Sequence, residues 1–398
     1  MRTKSSKARK CQICSQPMRK HGRTAAGTQR WRCTECAATY SFRREDQTQQ
    51  ATFTAFIEYL LGKDSQGEVD GTATGRSTRR RFTWCWNVPT PPLAVTGEIY
   101  DQLFIDGIYL AYKWVLLTAV NEHGQVVARQ WASAENAPAY SALLGGLAPP
   151  RLITCDGAAG ALKAIHQVWG DQAPPVQRCL LHIHRNNIRD LTNRPKTAAG
   201  KALRALSKQL LKVRTPGEAA HWSSLLAQFH SQYKEWLNQR TFARDDPDEA
   251  RRRGKTKPTQ WWYTHGRDRR VYYRLERLSR QGTLFNFLTA HPGQVLHATT
   301  NMAESVNARI NAVCYHHRGL SESHMLTAVD WALYYRWVAP KPPKQIYTKW
   351  DHTGRPQRRI LPKKTKKPTK QIGPAHYDTH TTAEDGLWAR KGWAGRSN

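Results

Sequence analysis

Residues 103–120 read LFIDGIYLAYKWVLLTAV, a stretch in which most side chains are apolar or aromatic. Such a run is expected of β-strands that are covered on both faces. One acid, Asp106, lies inside it, close to Phe104, Ile105 and Ile108. A buried carboxylate is costly unless it is paired or binds a cation. The alternative interpretation is a strand-end turn, because Asp-Gly pairs are common in turns.

Two further acids stand in comparable surroundings. Residues 152–157, LITCDG, form a second short apolar run that again ends in Asp-Gly, at Asp156. Residues 301–310, NMAESVNARI, predict a helix that carries Glu304. Three isolated acids, two on strands and one on a helix, suit a shared divalent-metal site. For Glu304, a solvated helix acid or a partner of the helix dipole is the alternative.

The charge balance indicates a polyanionic partner. Lys and Arg number 62 against 30 Asp and Glu, a net charge of +32, and there are 15 Trp residues. Basic side chains with interleaved aromatics suit contact with a nucleic-acid backbone and stacking on bases. No apolar run follows the basic N-terminus, and no stretch of about 18 residues lacks charges. We therefore expect a cytoplasmic protein that works on nucleic acid and makes no membrane contact.

Four of the eight cysteines form two CxxC pairs, with 18 residues between the pairs. Each pair places two sulfurs on one side of a tight turn, and two pairs complete a tetrahedron around one structural Zn²⁺. This pattern fits metal binding in a reducing compartment better than disulfides. The predicted zinc ligands are Cys11, Cys14, Cys33 and Cys36.

Basic residues in and after this zinc ribbon, residues 1–44, predict contact with DNA. Arg30 and Arg32 lie in the ribbon, for which a structural cap or a protein-docking module is the alternative role. Residues 45–97 predict a helix, a glycine-bearing turn and a basic second helix, the order of a helix-turn-helix DNA-binding domain. The second helix carries four arginines that either contact DNA or form a solvated face: Arg76, Arg79, Arg80 and Arg81.

An α/β domain is predicted for residues 98–182. Three antiparallel strands, a helix, a strand, a helix and a fifth strand follow one another. The predicted strands lie near 103–110, 113–121, 125–132, 151–155 and 176–181, and the predicted helices at 134–145 and 158–169. This is the order of an RNase H-like core, in which one acid falls on the first strand and another at the end of the fourth. Asp106 and Asp156 fall at those positions.

The remainder of the chain completes the predicted domains. Residues 183–298 predict a large α-helical insertion, and residues 299–339 predict the C-terminal helices of the core. From 340 to 398, Pro, Lys and Arg dominate, which predicts a disordered, DNA-seeking tail.

Three residues of the α/β domain and its insertion are further candidates for DNA contact. Trp262 follows a basic loop and is predicted to stack on an unpaired base, with core packing as the alternative. Arg178 and Arg185 either steer phosphates or are ordinary surface cations.

The segments FIDGIY, LITCDGAAG, VQRCLLHIHRN and TTNMAESVNARI occur in this order within roughly residues 100–337. Together they resemble the Mutator-like (MULE-type) DDE transposases of bacterial insertion sequences, one branch of which also resembles the zinc ribbon and helical segment in front. The resemblance implies that Asp106, Asp156 and Glu304 bind two Mg²⁺ or Mn²⁺ ions. The CxxH pair of the family maps onto Cys179 and His182 beside this site. Asp156 and Glu304 are 148 residues apart, a long spacing for this pattern.

The implied activity is DNA transposition. Two metal ions would stabilise the attacking and leaving oxygens of an in-line displacement at phosphorus. The resemblance implies binding to terminal inverted repeats and target DNA, as a homodimer on paired ends, in the bacterial cytoplasm in association with the nucleoid. An RNase H-like nuclease without strand transfer and a DNA-binding regulator derived from a transposase are the alternatives. Cys179 and His182 could instead form part of a second zinc site with His184.

Overall fold

A computed structural model describes residues 9–11, 13–25, 27–41, 45–71, 74–93 and 97–348. The greater part of the predicted tail, from residue 349, lies outside the described residues. The described chain forms two compact units. One contains the residues up to Pro89 together with those from Lys341, and the other is Thr90–Pro340.

The first unit begins with a three-stranded antiparallel sheet in the order β1-β2-β3. Three helices follow it in the chain. The elements are β1 Met18–Arg23, β2 Gln29–Cys33, β3 Thr39–Ser41, α1 Glu45–Leu61, α2 Gln66–Asp70 and α3 Arg76–Phe82. Phe53, Phe56 and Leu60 are fully buried at helical spacing on α1, and the ring of Phe56 packs edge-on against Phe82 of α3. Aromatic rings thus pack against one another between α1 and α3.

The connection between α2 and α3 requires a glycine. Gly75 has a φ of 58°, and a Cβ there would lie 2.7 Å from Cβ of Gln66. Asp70 at the end of α2 accepts hydrogen bonds from the backbone N–H groups of Ser77 and Thr78 in the first turn of α3. The predicted helix, glycine turn and basic helix are thus present.

The second unit is built on a five-stranded mixed sheet in the order β6-β5-β4-β7-β8. Strands β4, β5 and β6 are antiparallel neighbours, and β7 and β8 run parallel to β4. The elements of this part are β4 Leu103–Leu110, β5 Trp114–Asn121, β6 Val126–Ala132, α4 Ala137–Leu144, β7 Ile153–Cys155, α5 Ala159–Trp169 and β8 Val176–Arg178. All eight residues of β5 are buried, so this part of the opening apolar stretch is covered on both faces, whereas the stretch is exposed at Tyr109 and at 111–113.

A helical segment interrupts the sequence after the fifth strand. It contains α6 Leu180–Leu191, α7 Ala198–Leu210, α8 Pro216–Asn238, β9 Arg240–Phe242, α9 Pro247–Arg252, β10 Trp261–Tyr263 and α10 Gly266–Arg280. It has its own apolar core, to which Leu203, Trp222 and Leu275 belong. The predicted strand at 176–181 is shorter in the structure, because Cys179 is the N-cap of α6 and the chain turns helical at Leu180.

Helices cover both faces of the sheet. Leu103 and Ile105 of β4 pack with α4 and α5 on one face. Phe104 and Ile108 pack on the other face with α11 Asn301–His316 and α12 Glu322–Tyr334. Because side chains alternate along a strand, Asp106 belongs to the face covered by α11 and α12. The sheet is therefore the middle layer of a three-layer α/β unit.

A last helix, α13 Pro343–Thr348, belongs to the first unit, where a disordered tail was predicted from residue 340. Its Tyr347 packs edge-on against Trp84, and the carbonyl of Lys344 accepts a hydrogen bond from Gln50 of α1. The prediction rested on the high content of Pro and Lys, whereas the ring of Tyr347 gives this short helix a packing contact. No helix of the described chain combines the length and apolarity needed to cross a membrane.

Candidate active site

Asp106 and Asp156 are neighbours across two parallel strands. The register pairs Leu103 with Ile153 and Phe104 with Thr154, so two residues further on Asp106 lies beside Asp156. Burial and, after it, the negative charge of Asp156 raise the pKa of Asp106 to about 7. The strand order thus brings together two of the three acids that the sequence singles out.

Helix α11 approaches Asp106 through an amide side chain. Nδ2 of Asn307 donates a hydrogen bond of 2.8 Å to Oδ2 of Asp106. Oδ1 of the same amide is buried and has no hydrogen-bond partner among the described residues. Asn307 follows Glu304 by three residues, so both project from one side of α11. Sequence analysis missed Asn307, although its spacing from Glu304 in AESVN was a usable signal.

Glu304 contacts basic and polar side chains in place of the aspartate pair. Its carboxylate lies 3.4 Å from Nη1 of Arg185, 3.4 Å from the Thr300 hydroxyl and 3.8 Å from Nδ1 of His182. Glu304 and Asp106 both help to raise the pKa of His182. His182 therefore lies where it interacts electrostatically with both Glu304 and Asp106.

Cys179 and His182 form a hydrogen-bonded pair at the start of α6. Cys179 is fully buried, and its Sγ lies 3.2 Å from the Thr300 hydroxyl and 3.3 Å from the Thr300 backbone nitrogen. Burial alone would raise the pKa of this thiol, but hydrogen bonds from His182 and Thr300 lower it. The hydrogen bond with Cys179 raises the pKa of His182 to about 8 against the opposing effect of burial. Each side chain of the pair thus stabilises the charged form of the other.

Two groups of metal-capable side chains have all their ligand atoms within 4.8 Å of one another in the described chain. One is Cys179, His182 and Glu304, and the other is the N-terminal cysteine cluster. Asp106 and Asp156 belong to neither group, so the three expected acids do not converge to this distance. His184 does not join Cys179 and His182, because its Nδ1 bonds the carbonyl and hydroxyl of Ser207 at 3.1 and 3.0 Å.

The four cysteines of the first unit converge as their spacing predicts. Sulfur–sulfur distances are 3.5 Å for Cys11–Cys36, 3.4 Å for Cys14–Cys33 and 3.6 Å for Cys14–Cys36. The backbone N–H of Cys14 lowers the pKa of Cys11 to about 6, which favours the thiolate that a metal requires. This cluster could hold one zinc ion.

The two arginines near the aspartates occupy different positions. Arg178 donates from Nη2 and Nε to the backbone carbonyl of Asp156, at 2.6 and 3.1 Å. Its guanidinium fills the space beside Gly157, where φ is 90° and a Cβ would lie 1.6 Å from Cζ of the arginine. Arg178 therefore shapes the Asp156 turn. Arg185 is exposed and reaches Glu304.

The other candidate DNA-binding residues lie at the surface or on the two-stranded sheet formed by β9 and β10. The arginines of β2 and α3 are exposed: Arg30, Arg32, Arg76, Arg79, Arg80 and Arg81. Trp262 is half-buried on β10, and the guanidinium of Arg253 lies 5.2 Å from its ring centroid. Neighbouring rings carry similar cations, with Arg240 over Trp261 at 4.0 Å.

A fourth acid near the aspartates escaped sequence analysis. Glu135 lies between β6 and α4. Its charge contributes to the raised pKa of Asp106, after the larger effects of burial and of Asp156.

Comparison with known proteins adds no assignment, because no protein-family model, curated protein or solved structure matches this chain.

Proposed function

We propose that the protein is a DNA transposase that binds terminal inverted repeats and carries out metal-dependent strand cleavage and strand transfer. The single observation that carries this proposal is that Asp106 on β4 lies beside Asp156, directly after the parallel strand β7. Helix α11, which carries Asn307 and Glu304, packs on the face of the sheet to which Asp106 belongs. Asp106 and Asp156 are both partly buried, so their adjacent carboxylates repel each other, and a bound cation would relieve that repulsion.

The topology supports an RNase H-like core. Three antiparallel strands followed by two parallel ones, with helices on both faces, is the strand order that such a core requires. Asp106 lies on the first strand of this sheet, and Asp156 directly follows the fourth. The helix that carries Glu304 packs on the face to which Asp106 belongs.

The donor set suits Mg²⁺ or Mn²⁺. Carboxylate and amide oxygens are the hard ligands that these ions prefer, and the buried Oδ1 of Asn307 accepts no hydrogen bond from the described residues. Asp106, Asp156 and Glu304 would hold two ions, which would supply stabilisation of the attacking and leaving oxygens. To bind an ion, Glu304 would give up its contact with Arg185, whose side chain is 53% exposed. Breaking such an exposed pair costs about 0–1 kcal/mol.

His182 is the basic side chain that interacts with the acids of the proposed site. Its imidazolium, favoured by Cys179, lies where it interacts with both Asp106 and Glu304. It therefore offsets part of the negative charge of the site when a phosphodiester approaches. This is the support that the CxxH pair would give to the active site.

The positive net charge of the chain and the exposed arginines of the first unit support binding of DNA. The net charge is +32, and the exposed arginines of β2 and α3 lie in the zinc-ribbon and helical parts of that unit. One Zn²⁺ in the cysteine cluster would hold the ribbon together. We propose that this unit binds the inverted repeats and that two copies of the chain act on paired ends. Such a protein would work in the bacterial cytoplasm, in association with the nucleoid.

Strand mapping tests the proposal. Purified full-length protein is incubated with Mg²⁺ and a labelled DNA that spans the junction between the gene-flanking inverted repeat and its neighbour sequence. We expect a cut at the junction, followed by joining of the liberated 3′-hydroxyl to a second DNA. Cutting without joining would favour the nuclease alternative. Binding without cutting, in Mg²⁺ and in Mn²⁺, would favour the DNA-binding regulator.

A further inference from the structure

The turn between β4 and β5 has a backbone conformation that its own side chains disfavour. Tyr112 has a φ of 59° and Lys113 a φ of 61°, and the N–H of Trp114 donates a hydrogen bond to the carbonyl of Ala111. Positive φ at both central positions is typical of a type I′ turn, for which Asn-Gly is the preferred pair. Bulky residues in this conformation are strained. The residue types at this turn are therefore not those that favour its fold.

Both central side chains of the turn face solvent. Tyr112 is 46% exposed, and Lys113 is exposed as well. The hydroxyl of Tyr112 donates a hydrogen bond of 2.7 Å to the carbonyl of Leu320, in the connection between α11 and α12. This bond anchors the turn, but it gives no reason for a lysine at position 113. Strain that the fold does not require points to a functional contact of the exposed side chains.

The C-terminal end of α11 carries a second exposed aromatic ring next to a cation. Tyr315 is 56% exposed, and the guanidinium of Arg318 lies 4.6 Å from its ring centroid. Leu320 follows Arg318 by two residues, so the hydrogen bond from Tyr112 ties the β4–β5 turn to this end of the helix. Two tyrosines and two cations therefore belong to one region of the surface.

Both elements lead from this region to the proposed active site. Tyr315 follows Glu304 by three helical turns, so the two residues lie on one side of α11, about 16 Å apart. Tyr112 follows Asp106 by six residues, at most about 20 Å along the strand. DNA rises about 3.4 Å per base pair, so a duplex with a phosphodiester at Asp106 would pass this region about five base pairs away.

We propose that Tyr112, Lys113, Tyr315 and Arg318 form a surface, here called the turn surface, that binds the DNA duplex next to the active site. The inference rests on the proposed function in that both take DNA as the substrate. Lysine, arginine and tyrosine side chains are donors to phosphate oxygens, and the net charge of +32 favours such a polyanion.

Replacement of Lys113 by glycine removes the cation and the backbone strain together. Binding of the zinc-loaded full chain to a labelled duplex that spans the inverted-repeat junction is titrated at several salt concentrations, without divalent ions. We expect Lys113→Gly to lower the affinity about five- to tenfold near 0.1 M salt, and the slope of log K against log salt to fall by about one. The midpoint of thermal unfolding should rise by about 1–3 °C, because glycine adopts positive φ without strain.

Two control variants separate the two effects of that replacement. Thr192 is exposed at the end of α6 with a φ of 70°, so Thr192→Gly should also raise the unfolding midpoint but leave DNA binding unchanged. Lys163 is exposed on α5, which covers the opposite face of the sheet from α11. Lys163→Ala should therefore remove one charge without changing the affinity or the salt slope.

Tyr315 tests the uncharged part of the turn surface. Its side chain is exposed, so Tyr315→Ala should fold. We expect about tenfold weaker binding to the same duplex, as for one lost hydrogen bond to a charged oxygen. The salt slope should stay at its wild-type value, because no charge is removed. Thermal unfolding shows whether each variant folds.

The outcomes separate this inference from the proposed function. Unchanged affinity and salt slope in folded Lys113→Gly, or unchanged affinity in folded Tyr315→Ala, overturns the inference. Normal DNA binding with an altered oligomeric state, measured by light scattering, would also overturn it and assign the turn surface to a second copy of the chain.

Cleavage in Mg²⁺ completes the comparison. If both variants weaken DNA binding but the wild-type protein never cuts the duplex, the inference holds and the proposed function fails. If the wild-type protein cuts and joins DNA, and both variants bind and cut it equally well, the proposed function holds and the inference fails. A wild-type protein that binds no duplex overturns both.

Discussion

The side-chain amide of Asn307 donates a hydrogen bond of 2.8 Å to the carboxylate of Asp106, across 201 positions of the chain. The bond fixes the orientation of that carboxylate and joins α11 to β4. We expect Asn307→Ala to reduce strand cleavage about ten- to a hundredfold at unchanged DNA affinity, because losing a hydrogen bond to a charged group costs about 1.5–3 kcal/mol. Single-turnover cleavage and a gel-shift titration measure the two quantities. Asn301→Ala, at an exposed position of the same helix, is the control. Equal rates for both variants would contradict the assignment.

A buried ion pair connects β6 to α12. Asp330 is 2% exposed, and its Oδ1 accepts hydrogen bonds from Arg129 at 3.0 Å and Trp131 at 2.9 Å. We expect Asp330→Ala to lower the free energy of unfolding by about 3–5 kcal/mol. The guanidinium of Arg129, which is 16% exposed, would keep its hydrogen bond to Thr90 but lose its carboxylate partner. Urea denaturation measures the change.

An exposed pair provides the matched control for that experiment. Asp248 and Arg251 are each 82% exposed, so Asp248→Ala should change the free energy of unfolding by less than about 0.5 kcal/mol. A loss below about 1 kcal/mol for Asp330→Ala would show that the buried pair does not secure α12 to the sheet.

Zinc content tests the two metal-capable groups separately. We expect one zinc ion per purified chain, lost in Cys33→Ser because Cys33 is a buried member of the cysteine cluster. The same variant should weaken binding to the inverted repeat, since the ribbon requires its metal. Elemental analysis and gel shifts measure both effects. Cys179→Ser is the control and should keep one zinc ion. A second ion that Cys179→Ser removes would assign Cys179, His182 and Glu304 to zinc.

Trp262 provides a test of base stacking. Its half-buried ring lies near Arg253, and neighbouring rings also carry guanidinium groups, which suits contact with an unpaired base next to phosphates. We expect Trp262→Ala to weaken binding to a DNA end with unpaired bases about tenfold or more, within the about 1–3 kcal/mol of one base–aromatic stack. The affinity for an uninterrupted duplex should change less. A variant that loses stability but keeps normal end binding would assign Trp262 to packing.

Much of the fold could be predicted from local patterns in the sequence. The continuous apolar run around Asp106 and the Asp-Gly at the end of the LITC strand depend on short-range alternation and turn chemistry, so strands β4 to β7 could be predicted close to their observed limits. The cysteine cluster could be predicted because ligand spacing within a tight turn is itself a local property.

The details of the site depend on contacts between distant parts of the chain. Asn307 touches Asp106 only after α11 has packed on the sheet, and Glu135 becomes visible only once Gly107 is known to lie beneath it. The preference of Glu304 for Arg185 and His182 is likewise a competition between partners 119 to 122 positions away. No periodicity in the sequence encodes these choices.

The most direct measurement of the central claim is strand cleavage by three isosteric variants, Asp106→Asn, Asp156→Asn and Glu304→Gln, on a labelled inverted-repeat junction in Mg²⁺. Each should bind this DNA with wild-type affinity and give no detectable cut, because each lacks one carboxylate of the proposed metal site. Near-normal cleavage by Asp106→Asn or Asp156→Asn would contradict the account, and near-normal cleavage by Glu304→Gln alone would remove that residue from the site.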